Sequence, residues 1–292
     1  MAGRLLVVGT PIGNLGDLTP RAAEALRSAD LVVAEDTRLA KRLLSHLGVR
    51  RPTVAFNDHV PAARLGELVG RLAGGATLAL TTDAGMPGVS DPGARLVEAA
   101  RAAGADVEVL PGPSAVTAAM AAAGVEASGF LFGGFLPARP ASARDAVLER
   151  LVAASGATGL PLVLFEAPHR LIALLVALER LVPGARVAAC RELTKLHEEV
   201  LVGRPAEVRA MLPEPRGELT LVVSGVPAPE GDATPFEATA LVAAATRAGL
   251  PPRTIVDLLR AAGMPRRAAY QAVPTADDEP PPLGDEPPPI GR

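Results

Sequence analysis

The sequence predicts an α/β protein made of two α/β domains, followed by a small helical C-terminal extension. Three observations point there. Short apolar runs of strand length alternate with helical patterns over most of the chain, as in sheets flanked by helices. Strands in the second half are often too closely spaced for a helical crossover, which favours antiparallel pairs there. Three glycine- and proline-rich loops follow strands, at the edge where open α/β sheets bind ligands.

The first domain, residues 1–112, carries five expected strands: Leu5 to Val8, Leu31 to Ala34, Thr53 to Phe56, Thr77 to Thr81 and Val107 to Leu110. The helices between them have end signals. Thr19-Pro20 is an N-cap followed by proline at the first helical position, Gly48 follows a helix from Leu39 to Leu47, and Gly74-Gly75 stops one from Ala62 to Leu72. The second domain, residues 113–226, opens with an alanine-rich helix to Ala123. Its expected strands are Phe130 to Phe132, Leu162 to Phe165, Arg186 to Arg191, Glu199 to Leu201 and Leu219 to Val223. A Pro-Ala-Pro-Glu-Gly linker then leads to three short helical patterns within 235–273, and residues 274–292 read as a disordered Pro-rich acidic tail.

The composition fits this plan. With 292 residues and 49% hydrophobic content the chain can bury a substantial core. The apolar run at the start is too short for a secretory signal, and no segment approaches the ~20 apolar residues of a membrane span. The expectation is therefore a soluble cytoplasmic protein. A single cysteine, Cys190, excludes an intramolecular disulfide and reads as a small buried strand residue. No metal site is expected. Net charge is −3, but the tail concentrates Asp277, Asp278, Glu279, Asp285 and Glu286 against Arg292 and leaves the remainder near neutral. Such a body neither requires nor forbids a nucleic-acid partner. Lys41 and Lys195 are the only lysines among many arginines.

The first loop, Gly9 to Thr19, has neither a Walker lysine nor the dinucleotide G-x-G-x-x-G spacing, so nothing in it supports phosphate cradling. The second, Thr81 to Gly93, holds two acids and three glycines. Asp83, just past a strand, suits hydrogen bonds from a ribose or amino group, whereas Asp91 before Pro92 suits a helix cap. The third, Leu110 to Thr117, delivers Ser114 to a helix N-terminus, where free amides suit a carboxylate or polar ring edge, or serve a cap alone. Three permissive loops at one end of one sheet imply a single cleft shared with the second domain.

The strings Gly9-Thr-Pro-Ile-Gly-Asn-Leu15, Ala34-Glu-Asp-Thr-Arg38, Asp83-Ala-Gly85, Asp91-Pro-Gly93, Leu110-Pro-Gly-Pro-Ser114, Gly134-Phe-Leu-Pro137, His169-Arg170 and Arg191-Glu-Leu-Thr-Lys195 together resemble the tetrapyrrole-methylase family. Within it they resemble the ribosomal RNA small subunit methyltransferase I branch, over roughly residues 4 to 225. The resemblance implies the tetrapyrrole-methylase fold, with S-adenosyl-L-methionine bound between the two α/β domains. It further implies methylation of a cytidine ribose 2′-hydroxyl in the decoding region of 16S rRNA, in the small ribosomal subunit, by a homodimer. Carried onto this sequence, the cofactor contacts are Pro11, Asp83, Ala84, Gly85, Val89, Pro92, Ser114, Ala115 and Phe165. The substrate RNA falls to Glu35, Asp36, Arg38, His59, Arg170 and Arg191.

Methyl transfer to a ribose oxygen demands in-line alignment, and the neutral hydroxyl gains from a nearby base or a cation that stabilises the developing alkoxide. Lys195 is the first candidate cation, with Glu192 beside it; the alternative is a surface lysine paired with Glu198 or Glu199. Glu166 and His169 follow a strand and could orient substrate or accept its proton, although Glu166 could equally serve the start of the next helix. Arg38 could grip a phosphate while Glu35 and Asp36 order the loop, or Asp36 or Thr37 could simply cap a helix. Arg139, Arg144, Arg253, Arg266 and Arg267 are further candidates for phosphate contacts. Two rivals stay open: a methylase acting on a tetrapyrrole carbon, and a non-catalytic RNA-binding module.

Overall fold

The computed structural model describes residues 3–57, 60–228, 238–262, 264 and 266–273. The chain divides into two compact units, Met1–Ala228 and Pro229–Arg292. Both sheets belong to the first.

The first sheet is parallel throughout, in the order β3-β2-β4-β1-β5, with β1 Arg4–Val8, β2 Leu31–Ala34, β3 Thr53–Ala55, β4 Thr77–Thr81 and β5 Asp106–Leu110. Helices α1 Pro20–Ser28, α2 Thr37–His46, α3 Ala62–Ala73 and α4 Gly93–Ala102 connect the strands. Alternate residues of the interior strand β1 face two separate cores, Leu6 and Val8 one of them, Leu5 and Val7 the other. That is the two-sided burial a parallel sheet requires. The Thr19 hydroxyl accepts from the Ala22 amide at 3.2 Å and Pro20 fills the first turn, as the sequence predicts.

The second sheet is mixed, in the order β6-β7-β10-β8-β9, with β6 Leu131–Phe135, β7 Leu162–Glu166, β8 Arg186–Arg191, β9 Glu199–Gly203 and β10 Leu219–Ser224. Only β6 and β7 run parallel, joined by α6 Ala141–Thr158; the other pairs are antiparallel. Helices α7 Pro168–Leu181 and α8 Pro205–Met211 cover one face. The other face receives α5 Ala115–Ala123, whose Val116, Ala119 and Ala123 pack on Val163, Cys190 and Val222. Ile12 of the first loop joins that cluster, so the first sheet's loops are anchored in the second sheet's core.

Strand β6 departs from expectation. The sequence places it at Phe130 to Phe132, yet a shift of register between Phe132 and Gly134 carries the strand on to Phe135. Gly134 has φ +60°, and a Cβ on Gly133 would collide with Leu164 and Leu151, so the glycines make a bulge rather than an end.

In the second unit α9 Ala238–Arg247, α10 Pro252–Ala261 and α11 Arg266–Ala272 share a core of Val242, Ala245, Ile255, Val256, Leu259, Ala269 and Val273. The tail 274–292 lies outside the described residues, as do Asp58 and His59. Among the described residues no helix is long and apolar enough to cross a membrane.

Candidate active site

The three loops meet. Thr10 and Gly85 exchange backbone hydrogen bonds at 2.9 and 3.1 Å, forming one antiparallel bridge beside the parallel sheet. Gly9 and Gly112 lie backbone to backbone: a Cβ on Gly9 would stand 2.6 Å from the Gly112 nitrogen, and one on Gly112 2.8 Å from the Gly9 Cα. Gly13 reaches the second sheet's side, where a Cβ would lie 2.5 Å from Lys195 Cγ. Asp91 organises the second loop from within, accepting from the amides of Gly88, Val89 and Gly93 at 2.7 to 3.2 Å.

These loops wall one side of a cavity of about 420 Å³, within the size range of small-molecule sites. Ile12, Glu35, Thr82, Asp83, Ala84, Val89 and Ser90 line it from the first sheet; opposite are Ala115, Phe135, the segment Phe165 to Pro168, Cys190, Leu193 and the segment Gly217 to Thr220. Of the residues expected at the cofactor, Asp83, Ala84, Val89, Ala115 and Phe165 line the cavity. Pro11, Gly85, Pro92 and Ser114 are not among its lining residues, and Gly85 and Pro92 are buried. Phe165 lies between Phe132 and Phe135, with ring centroids 5.1 and 5.4 Å away, and makes an aromatic wall.

The mouth is acidic. The Thr82 hydroxyl donates to Glu35 at 2.9 Å, and Asp83 accepts from the Asp36 amide at 2.7 Å. Burial, with some help from neighbouring acids, raises the pKa of both Glu35 and Asp83. Asp36 caps α2 through the Arg38 amide at 2.7 Å and pairs with the Arg38 guanidinium, which holds its pKa down at about 2. Arg38 itself points into solvent.

The residues expected to do chemistry fall into two groups. Lys195 Nζ sits 2.9 Å from Glu192 and 3.1 Å from Glu218, the latter a cavity residue. Its partners are therefore Glu192 and Glu218, and neither Glu198 nor Glu199. Burial works against its charge, but the two carboxylates outweigh burial and raise its pKa, so the group is an ammonium at neutral pH. Glu192, bonded to the Glu218 amide at 2.8 Å and to Lys195, has a lowered pKa. Glu192 and Thr194 both take positive φ, +50° and +67°, a costly conformation that the surrounding hydrogen bonds enforce.

Glu166 borders the cavity, but its side chain is fully buried. One oxygen accepts from the Ala167 amide at 2.8 Å and from Arg170 at 2.5 Å, and the other has no partner. The carboxylate thus braces the start of α7 and holds Arg170. His169 is exposed, and Arg191 is paired with Glu199 at 2.9 Å. Arg144 is paired with Asp145, Arg139 and Arg253 are exposed, and the side chains of Arg266 and Arg267 lie outside the description, as does all of His59.

Several lining residues escape sequence reasoning. Ile12, Thr82 and Ser90 lie within the three loops but lack a distinguishing local signal; Ser90 shows itself only through its φ of +61°. Phe135 enters through the bulge. Cys190, Leu193 and the segment 217–220 arrive by antiparallel register, which sets Leu219 opposite Arg191.

The cavity suits S-adenosyl-L-methionine. Its aromatic wall fits a purine, and Asp83 and Glu35 suit a ribose diol or a cationic group. At α5 the Ser114 side chain forms no cap, so the first amides beside Ala115 remain available to a carboxylate.

Residues 4–209 match the family model of Tetrapyrrole (Corrin/Porphyrin) Methylases. A protein of Xylella fastidiosa named ribosomal RNA small subunit methyltransferase I is 40% identical over 92% of this chain and 98% of its own. Proteins of that name from Thermotoga maritima (40%, covering 76% and 99%) and Pseudomonas aeruginosa (42%, covering 79% and 82%) are similar too. Among solved structures, uroporphyrin-III C-methyl transferase of Thermus thermophilus, complexed with S-adenyl homocysteine, superposes with TM-score 0.55 at 21% identity over 77% of this chain and 98% of that one. Diphthine synthase superposes with TM-score 0.59 at 16% identity, over 76% and 90%. Since the strings quoted from the sequence, the paired sheets and the relatives all agree, the chain belongs to the tetrapyrrole methylases and, within them, to the ribosomal RNA small subunit methyltransferase I family.

Proposed function

We propose that this protein transfers a methyl group from S-adenosyl-L-methionine to the ribose 2′-oxygen of a cytidine in the decoding region of 16S rRNA, acting on the small ribosomal subunit as a homodimer. The observation that carries the methyltransferase reading is the convergence of three glycine-rich loops on one cavity, with an uncapped helix end and acidic acceptors inside it. The relatives' names give the substrate class, small-subunit rRNA.

The bound cofactor supplies an electrophilic sulfonium methyl. Ala115 and the first turn of α5 would hold its carboxylate, Asp83 its polar edge, and Phe165 would offer an aromatic face. Lys195, held by Glu192, reaches the cavity's edge through its contact with the lining residue Glu218; its ammonium would stabilise negative charge developing on the attacking ribose oxygen. Glu35, Asp36 and Arg38 present the first sheet's edge to the RNA. Glu166 acts on Arg170 and the α7 terminus without reaching the reacting atoms.

The test is methyl transfer from labelled S-adenosyl-L-methionine to small subunits isolated from cells lacking this enzyme, followed by digestion to nucleosides. A labelled 2′-O-methylcytidine is expected. A base-methylated nucleoside would overturn the ribose assignment, and no incorporation would overturn the rRNA reading.

A further inference from the structure

Between Thr37 and Asn57 the sequence holds no Asp or Glu; besides His46, its basic residues are Arg38, Lys41, Arg42, Arg50 and Arg51. Elsewhere in the first unit arginines are commonly neutralised by nearby carboxylates, among them Arg4, Arg64, Arg170 and Arg191. Lys41, Arg42 and Arg50 are exposed, and among the described residues no carboxylate pairs with them. Unlike Arg38, which shares its charge with Asp36, they present uncompensated charge.

Their placement is ordered. Residues 38, 41, 42 and 45 recur at the i, i+3, i+4 and i+7 spacing that puts side chains on one helix face, and all four are exposed. The opposite face, Ala40, Leu43 and Leu44, is buried in the core. Helix α2 begins at the cavity mouth, where the Asp36 amide donates to Asp83. It runs about 15 Å outward, at 1.5 Å per residue. At its far end Lys41, Ser45, Gly48, Arg50 and Arg51 line a second cleft of about 490 Å³. Arg51 is fixed there by a hydrogen bond to the Arg27 carbonyl.

We infer that the exposed face of α2 and the turn 48–51 form a phosphate track that holds the RNA backbone leading away from the target nucleotide. The inference rests on the rRNA reading above and adds to it where the strand travels. An unpaired basic strip with no acid in it suits a polyanion, and a helix face suits a regular series of phosphates. Such contacts give affinity and salt dependence rather than chemistry.

The test compares the parent with Lys41→Ala/Arg42→Ala/Arg50→Ala on undermethylated small subunits across a salt series, together with titration of S-adenosyl-L-methionine. Losing three phosphate contacts should raise KM for the subunit about tenfold or more and flatten the slope of log KM against log salt by about 2, at ~0.7 per contact for a single strand. Cofactor affinity should not move. The conservative set Lys41→Arg/Arg42→Lys/Arg50→Lys should retain the parent slope. An active parent with a triple variant of unchanged KM and slope would overturn the track alone. A parent inactive on subunits would overturn the rRNA reading and the track with it. Should the triple variant lose cofactor binding, Lys41→Ala/Arg42→Ala decides, with a proportionate change in slope expected and an unchanged slope overturning the track.

Discussion

Lys195 is pinned between two carboxylates on a loop whose Glu192 and Thr194 adopt left-handed backbone conformations. Lys195→Ala should leave cofactor affinity nearly unchanged and lower turnover roughly 10²-fold, by analogy with removing one oxyanion donor; an unaltered rate would return Lys195 to the surface. The pH dependence follows from the same contacts. Because the folded pKa of Lys195 is raised above its ordinary 10.5, its contribution to stability is complete below that pH and is lost as pH rises through the folded value. Glu192, lowered from 4.5, contributes above that pH and loses its contribution as pH falls through its folded value. Between these limits, stability measured by thermal melts should show no inflection from this pair. Gly217 backs the loop. At φ +78° it leaves no room for a methyl group, since a Cβ would lie 2.5 Å from Glu192 Oε1. Gly217→Ala should therefore displace the Glu192 carboxylate, lowering turnover and costing about 1–3 kcal/mol of stability by chemical denaturation.

At the scale of elements, the loop from Thr81 to Gly93 depends on one side chain. Asp91 accepts from three amides, so Asp91→Ala leaves donors unsatisfied and should cost about 1–3 kcal/mol while weakening cofactor affinity, measurable by calorimetry. Asp91 was legible only in part: an acid before Pro-Gly at a helix start suggests the N-cap, but Pro92 occupies that position, and Asp91 binds the Gly88 and Val89 amides of the loop besides that of Gly93. The strands were legible because apolar runs bounded by Gly and Pro carry their identity locally. Phe135 was not. Two consecutive glycines signal a break, and only packing against Leu164 turns them into a bulge that carries Phe135 to the cavity. Glu218 was hidden for another reason. Nothing near it in sequence announces a partner for Lys195, and the pairing arises from the register of β10 on β8. Glu166 marks the limit of motif reading, since its position beside the cavity is as expected while its carboxylate faces Arg170.

At the scale of the molecule, the first unit contains both sheets, the cavity and the α2 strip, and the second unit has its own apolar cluster. A protein ending at Ala228 should fold cooperatively and bind S-adenosyl-L-methionine with affinity close to that of the full chain. Loss of binding on truncation would show that the helical extension completes the site. The contact between Gly9 and Gly112 carries a different lesson. Each glycine excludes a side chain at the other across more than a hundred residues of sequence, so neither position can vary alone and neither can be relieved by changing its partner. A saturation library at the two sites should return the parental pair almost exclusively, even under selection for stability alone, because the constraint is already present in the empty protein.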